Sequence, residues 1–190
     1  MHLLRTTAFP FFALLVLSAL SQSQTVDRGL RGGYPILASQ GKVYLGTPRG
    51  LRVYDLSEDD WAFVQLPGEE EGNSINLLGV HQGILWAGTR GGVANADLRL
   101  GDWRLHGKEA GLKDNLIRSL AFEEDDAWVG TDSGASRFDL LSEQWSSYGE
   151  AEGLAGRVKD IAVDGKTVWF ATDNGVVEYS SEFEAWRPHR

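Results

Sequence analysis

The segment Ala127-Trp128-Val129-Gly130-Thr131-Asp132-Ser133-Gly134 decides the fold, because its pattern occurs four times in the chain. One aromatic residue of the pattern recurs about every 42 residues, as Tyr44, Trp86, Trp128 and Trp169. A second aromatic series keeps the same interval, as Trp61, Trp103, Trp145 and Trp186. A period of this length is expected when small sheets are repeated in tandem and bury their faces by stacking on one another.

The third copy shows the strands that we expect in every repeat. Strands are predicted near residues 118–122, 127–131, 135–140 and 144–148, with turn residues between them and no helical periodicity. The second of these strands is apolar on both faces, which suits a sheet pressed between two others. The sequence therefore predicts an all-β fold, a β-propeller or propeller arc of four four-stranded blades with a repeat period of about 42 residues.

The repeats divide the chain into blades at residues 34–72, 75–113, 116–155 and 158–190, preceded by a segment at 24–33. That segment has no Trp and looks like a poor closing strand. Three arrangements fit four blades: a closed ring, an arc completed by another copy, or the front of a longer protein. The indoles are expected to pack between blades, with an aromatic platform for sugars as the alternative.

Residues 1–23 resemble a secretory signal peptide. Arg5 precedes the apolar run Ala8–Leu20, and small and polar residues follow it. The run of about 13 residues is shorter than the ~20 residues that a spanning helix needs. We expect an exported protein, periplasmic or extracellular, with no membrane span after cleavage of the signal peptide.

The charge balance and the absence of Cys exclude several classes of function. The 190 residues carry a formal net charge of −9, and removal of Arg5 with the signal peptide makes it one unit more negative. Such a surface repels nucleic acid and anionic lipid. With no Cys there is no disulfide, thiol nucleophile or thiolate-bound metal.

Four matching segments carry a resemblance to the two-component regulator propeller repeat. Its pattern is apolar-Trp-apolar-Gly-Thr-x-x-Gly with an aromatic-Asp pair downstream. The matches are 43–50 with Tyr54-Asp55, 85–92, 127–134 with Phe138-Asp139, and 168–175, in which Ala171 replaces Gly. The resemblance implies a bacterial ligand-sensing propeller, typically the extracytoplasmic part of a membrane sensor kinase and often linked to glycan utilisation. The sequence has four units where the family commonly has seven or a double set.

Local motifs for catalysis or metal binding are missing from the sequence. There is no Gly-x-Ser-x-Gly or His-Glu-x-x-His. His81, His106 and His189 fall in different copies and are expected at the surface. Acidic runs such as 123–126 lack the alternation of a calcium loop, so no metal or cofactor is predicted. A pair of carboxylates for glycoside cleavage could still meet across blades.

Topology places a candidate binding surface on one edge of the propeller. In a four-stranded meander, the turns between second and third strands share an edge with the links between blades. These positions vary while the framework repeats, as a binding face would. The candidate ligand-binding residues are Arg49, Arg90, Lys113, Asn115, Asp132, Arg157 and Asp173.

The first functional hypothesis is an exported, non-enzymatic ligand-binding or sensor propeller for an unknown small-molecule or glycan ligand. A polysaccharide-acting propeller enzyme is the second. The third is a structural or interaction scaffold completed by oligomerisation. Another copy of the chain or a downstream signalling domain are the expected protein partners.

Overall fold

The computed structural model describes residues 25–28, 34–69 and 73–189. The predicted signal peptide, residues 1–23, lies outside this part. The described residues form short strands and two 3-10 helical turns, Lys108–Ala110 and Glu150–Glu152. In chain order the strands are β1 Thr25–Arg28, β2 Ile36–Ser39, β3 Lys42–Thr47, β4 Gly50–Asp55, β5 Asp60–Val64, β6 Leu77–His81, β7 Ile84–Gly88, β8 Val93–Asp97, β9 Arg104–His106, β10 Ile117–Glu123, β11 Asp126–Thr131, β12 Gly134–Asp139, β13 Gln144–Tyr148, β14 Val158–Asp164, β15 Thr167–Thr172, β16 Gly175–Ser180 and β17 Ala185–His189.

Four antiparallel meanders are built from these strands, which confirms the predicted fold class. Blade 1 is β2-β3-β4-β5, blade 2 is β6-β7-β8-β9, blade 3 is β10-β11-β12-β13 and blade 4 is β14-β15-β16-β17. The register repeats from blade to blade. Trp86 pairs with Asn95, Trp128 with Arg137, and Trp169 with Glu178. Equal sequence spacing therefore places equivalent side chains at equivalent points of each sheet.

The first strand was not expected. Residues Thr25–Arg28 were read as part of a segment outside the blades, but they form β1 and pair antiparallel with β6. This makes blade 2 a five-stranded sheet, with β1 beside its first strand. The sequence does not predict this strand, because β1 has no Trp and no turn that joins it to β6. Its partner strand is distant in the sequence, so no local pattern indicates the pairing.

The hydrophobic core lies between the blades rather than within them. Three clusters of buried side chains occupy the three successive blade interfaces. At the second interface, Trp86 is 0% exposed and its ring centroid lies 5.6 Å from that of Phe138. At the third, Trp128 is 0% exposed and lies 5.1 Å from Tyr179. The second-strand aromatic residue of one blade is thus the main contact with the next.

A glycine lets neighbouring blades approach at the end of each second strand. A Cβ on Gly46 would stand 2.6 Å from Ile75, one on Gly88 2.9 Å from Ile117, and one on Gly130 2.8 Å from Val158. Each of these contact residues opens the following blade. Within the same blade, Leu77 and Ser119 would lie closer still to the Cβ of Gly88 and Gly130, respectively. Ala171 takes the place of this glycine in blade 4, on a face that no further sheet of the described residues covers. The departure from the repeat therefore stands where close approach is not required.

Not every tryptophan is buried, and the prediction that all of them pack between blades is wrong for Trp61. That side chain is 50% exposed, and Phe63 beside it is 56% exposed. Both lie on the face of blade 1 that points away from blade 2. Trp169, the second-strand indole of blade 4, is only half-buried. The two end faces therefore remain open, and the described residues form an arc.

The histidine prediction was also partly wrong. His81 is only 6% exposed and stacks on Phe122 at 4.8 Å across the interface of blades 2 and 3. His106 is half-buried against Phe138 and Trp145. Both face the following blade, a direction that the sequence period does not reveal for an isolated polar residue. His189 is exposed, as predicted.

We predict that Trp128→Ala lowers the free energy of unfolding by about 3–5 kcal/mol, because it leaves a large cavity between blades 3 and 4. Trp61→Ala is the matched control and should cost less than about 1 kcal/mol in the monomeric protein, since its ring faces solvent. Urea denaturation followed by circular dichroism measures both. Equal losses for the two variants would contradict this packing.

We also predict that Gly130→Ala destabilises the fold by about 1–3 kcal/mol, because the added methyl group would overlap Ser119 of the same blade and Val158 of the next blade. The reverse change, Ala171→Gly, should stay within about 1 kcal/mol of the parent, the ordinary effect of a glycine in a strand. Thermal melts of both variants test the difference. A Gly130→Ala protein that melts with the parent would show that the blades are not packed this closely.

Candidate functional site

The threonine of each repeat builds the second-to-third-strand hairpin. Thr131 Oγ1 donates to the carbonyl of Gly134 at 2.9 Å and accepts from the backbone N–H of Ser133 at 3.2 Å. Thr47, Thr89 and Thr172 make the same pair of bonds. The closing glycine has a positive φ, 131° at Gly134, where a larger residue would be strained. The two residues between Thr and Gly are left to project from the turn.

These turns and the links between blades form one edge of the arc, which we call the hairpin rim. Ser133 Oγ donates to Asp114 Oδ2 at 2.6 Å, and Asn174 Nδ2 donates to the carbonyl of Ala155 at 3.3 Å. These bonds tie the hairpins of blades 3 and 4 to the links that precede them. The hairpin rim comprises residues 48–49, 89–92, 107–116, 132–133, 149–157 and 173–174.

Asp132 is the centre of a charged group on the hairpin rim. Arg118 donates two hydrogen bonds to its carboxylate, from Nε to Oδ1 at 2.7 Å and from Nη2 to Oδ2 at 2.9 Å. Arg157, from the link to blade 4, adds a bond from Nε to Oδ1 at 2.9 Å. The bonds from Arg118 and then from Arg157 lower the pKa of the Asp132 carboxyl below its usual range. Asp132 is therefore ionised at neutral pH and held by two guanidinium groups.

Blade 4 repeats the same arrangement one step along the arc. Lys159 follows the first residue of β14 as Arg118 follows the first residue of β10, and Asp173 follows Thr172 as Asp132 follows Thr131. Lys159 Nζ lies 2.7 Å from Asp173 Oδ1. The bond from Lys159 lowers the pKa of Asp173, and the charge of Arg157 lowers it further. The side chains remain partly open to solvent, with exposures from 28% for Asp132 to 53% for Lys159.

These residues make a strip of alternating charge, which we call the rim strip. Its members, in spatial order, are Arg118, Asp132, Arg157, Asp173 and Lys159. Three of them, Asp132, Arg157 and Asp173, belong to the candidate set predicted from sequence. The structure thus brings three predicted residues together across blades 3 and 4.

The other four candidate residues do not join the rim strip. Arg49 and Arg90 are exposed on the hairpins of blades 1 and 2, and no ion pair of either is found within residues 34–69 and 73–189. The backbone N–H of Lys113 donates to Ser136 Oγ at 2.8 Å. Asn115 Oδ1 accepts the backbone N–H of Lys108 at 2.7 Å. The last two residues therefore help to shape the link between blades 2 and 3.

Arg118 and Lys159 are the site residues that sequence reasoning missed. Arg118 is the first residue of a predicted strand and Lys159 is not singled out by the sequence, although the two stand 41 residues apart at the same position of the repeat. Each lies at a register shift at the start of its strand, between Ile117 and Ser119 or between Val158 and Asp160. Such a bulge turns a side chain away from the regular alternation, here toward the hairpin. A basic residue at the same position of the repeat in blades 3 and 4 is the sequence pattern that could have identified them.

A second polar cluster lies inside the interface of blades 3 and 4. Arg137 Nη1 is 3.6 Å from Asp126 Oδ2 and 3.4 Å from the Tyr179 hydroxyl. Glu123 is 3% exposed and accepts bonds from Trp128 Nε1 and Ser181 Oγ. Burial is the main cause that raises the pKa of Asp126 to about 6, and Asp139 and Glu123 raise it further. This cluster connects two blades and is not part of the hairpin rim.

Neither a metal centre nor a membrane span is seen in the described part of the chain. No group of three or more His, Asp and Glu side chains there is placed to hold a metal ion. The same residues contain no helix with the length and hydrophobicity that a bilayer crossing requires.

Comparison with protein-family models finds no match, and comparison with curated proteins finds none either. Similar folds are found among experimentally determined structures. Two are extracellular domains from B. thetaiotaomicron. One is assigned to a hybrid two-component system, BT3049, with 22% identity and a TM-score of 0.61 over 82% of this chain. The other is assigned to a one-component system, BT4673, with 17% identity and a TM-score of 0.63 over 80% of this chain. The computationally designed protein Ika4 gives 18% identity and a TM-score of 0.59 over 76% of this chain.

These likenesses concern the fold. The chain spans 23% of the BT3049 domain and 21% of the BT4673 domain, but 88% of Ika4. The fold is therefore similar to a part of extracellular sensor domains, at identities too low to carry over their residues.

The raised pKa of Asp126 predicts a pH-dependent difference between the parent and Asp126→Asn. The folded pKa of about 6 exceeds the unfolded value of 3.8, so the folded state holds this proton more tightly. The charged carboxylate is a cost above the folded pKa, and this cost disappears as the pH falls toward 3.8. The free energy of unfolding of Asp126→Asn should therefore exceed that of the parent by about 1–2 kcal/mol at neutral pH, and by less in mild acid.

Urea denaturation of both proteins at neutral pH and in mild acid measures this difference directly. The parent alone would not show it, because Asp132, Asp139 and Asp173 have lowered pKa values and act in the opposite sense. A difference between variant and parent that is the same at both pH values would contradict the raised pKa.

Proposed function

We propose that this chain is an exported, non-enzymatic sensor module that binds a small polar or glycan ligand on its hairpin rim. We further infer that it is related to the two-component regulator propellers. The four-fold repeat pattern supports this relation, and so does the likeness of the fold to extracellular domains of bacterial sensors. The leader-like residues 1–23 support export to the periplasm or the cell exterior.

The rim strip is the observation that carries the proposal. It offers three cationic and two anionic groups on adjacent blades, with partly exposed side chains. Guanidinium groups donate paired hydrogen bonds, while carboxylates accept them, so together they can bind the vicinal hydroxyl groups of a sugar. The partners within the strip hold each group in position before the ligand arrives, which reduces the entropy lost on binding.

The electrostatics of the strip favour binding over catalysis. A glycoside hydrolase needs one carboxyl group that is protonated near neutral pH and a second that is ionised. Asp132 and Asp173 both have lowered pKa values, so neither is a suitable general acid. The carboxyl group with a raised pKa, Asp126, lies between blades 3 and 4 and is paired with Arg137. These observations support a binding site that leaves its ligand unchanged.

The test is calorimetric titration of the purified protein with a panel of neutral and acidic oligosaccharides. We expect at least one sugar to bind and Arg157→Ala to weaken that binding by about tenfold or more, because a guanidinium contact at the centre of the rim strip is lost. Arg99→Ala is the matched control. Arg99 forms an exposed pair with Asp97 at the opposite edge of blade 2, so its loss should leave affinity unchanged.

Two results would contradict the proposal. One is the absence of binding across the panel. The other is binding that Arg157→Ala and Arg99→Ala affect equally. Cleavage of a sugar during the titration, detected as new reducing ends, would instead support the polysaccharide-acting alternative.

A further inference from the structure

The two open end faces of the arc carry the two halves of the same contact that joins its blades. At the third interface, Trp128 of blade 3 packs on the aromatic pair Tyr179 and Trp186 of blade 4, at 5.1 and 6.0 Å. At the second interface, Trp86 packs at 5.6 Å on Phe138, which is paired with Trp145 at 4.9 Å. Each contact thus joins a second-strand indole to an aromatic pair from the third and fourth strands.

Blade 1 presents this aromatic pair, and no other blade of the described residues packs on it. Tyr54 and Trp61 occupy the slots of Tyr179 and Trp186, and their rings lie 5.1 Å apart. The corresponding pair in blade 4 is 4.6 Å apart. Trp61 is 50% exposed, and Ile36 and Phe63 on the same blade are 55% and 56% exposed. A complete receiving surface is therefore formed and left in solvent.

Blade 4 presents the other half of this contact, the second-strand indole. Trp169 stands in the second strand at the register position of Trp128, but it is only half-buried and its one described ring neighbour is His189 of its own blade, at 5.7 Å. Val176 on the third strand is 41% exposed. The end faces of blades 4 and 1 are thus complementary rather than alike.

The charged residues of the two end faces are complementary as well. Arg104 of blade 2 pairs with Glu143 of blade 3 at 3.0 Å across their interface. Arg187 is the equivalent of Arg104 in blade 4, one residue after its tryptophan, and Asp59 is the equivalent of Glu143 in blade 1, two residues before its tryptophan. Asp59 and Glu143 share a left-handed backbone, with φ of 54° in both. A blade 4 to blade 1 contact would bring these opposite charges together.

We propose that a second copy of this chain covers these faces, with blade 4 of each copy packed on blade 1 of the other. Two such arcs related by a twofold axis form this contact twice and close a ring of eight blades, within the range of about four to eight that propellers adopt. The internal interfaces supply the geometry, since the new contact continues the step that relates one blade to the next. The proposal does not depend on the ligand of the hairpin rim.

The experiment begins with the mass of the purified protein, measured by sedimentation equilibrium over a wide concentration range. We expect twice the mass of one chain and no larger species, because a closed ring has no free end. Trp61→Glu and Trp169→Glu should each raise the dissociation constant by about tenfold or more, since each places a charge in both contacts of the ring. Phe183→Glu is the matched control: that side chain is 74% exposed in the turn between β16 and β17, and the variant should remain dimeric.

Mixing the two tryptophan variants tests the direction of the contact. A mixed ring places both substitutions in one contact and leaves the other free of them, so the mixture should dimerise at concentrations at which each variant alone is mostly monomeric. A contact between two blade 1 faces would instead be lost in Trp61→Glu and kept in Trp169→Glu. Circular dichroism checks that each variant is folded.

A charge exchange gives a second route if an indole variant does not fold. Arg187→Asp and Asp59→Arg should each weaken the dimer several-fold, and the double variant should recover most of the loss. A parent protein that is monomeric at every concentration overturns the proposal and indicates that other blades cover the end faces. A dimer that survives both tryptophan substitutions, or a mixture that stays monomeric, overturns it as well.

Discussion

The insertion of a second-strand aromatic ring into the face of the next blade is the interaction on which this structure depends. Each blade has an inner strand that is apolar on both sides, so a single blade would leave much of its hydrophobic surface in water. Full burial of one indole removes about 150–250 Å² from solvent, which is at most about 4–6 kcal/mol. Trp86 and Trp128 reach this limit of full burial, and the core consists of the layers around them and their counterpart Tyr44.

Packing and the candidate site are connected through the same short motif. Its first glycine, such as Gly130, allows the next blade to approach, and its threonine, such as Thr131, closes the hairpin with two hydrogen bonds. The first residue after the threonine is not needed for either of these two hydrogen bonds. In blades 3 and 4 this position holds Asp132 and Asp173, and basic residues from the adjoining strands reach them. The repeated hairpin thus places different side chains at the same position of each blade along the hairpin rim.

The sequence reveals the sheets because the repeat leaves a strong periodic pattern of aromatic, glycine and threonine residues. It does not reveal which faces are covered, since Trp61 and Trp103 occupy the same position of the repeat. In the described residues blade 1 packs on the face that carries Trp103, whereas Trp61 is 50% exposed. It places Asp132, Arg157 and Asp173 on one rim by topology alone. It misses Arg118 and Lys159 because a bulge at the start of each strand redirects them. The pairing of β1 with β6 depends on backbone hydrogen bonds between distant segments, which leave no local pattern.

Hydrogen exchange of the indole N–H groups, followed residue by residue with NMR, tests the central claim most directly. Trp86 and Trp128 are 0% exposed, and their indole protons lie inside the blade interfaces. These two signals should be the slowest of the seven indole signals to disappear after transfer to heavy water, since their exchange requires the blades to separate. Exchange of both signals at the rate of an indole in open solvent would contradict this claim.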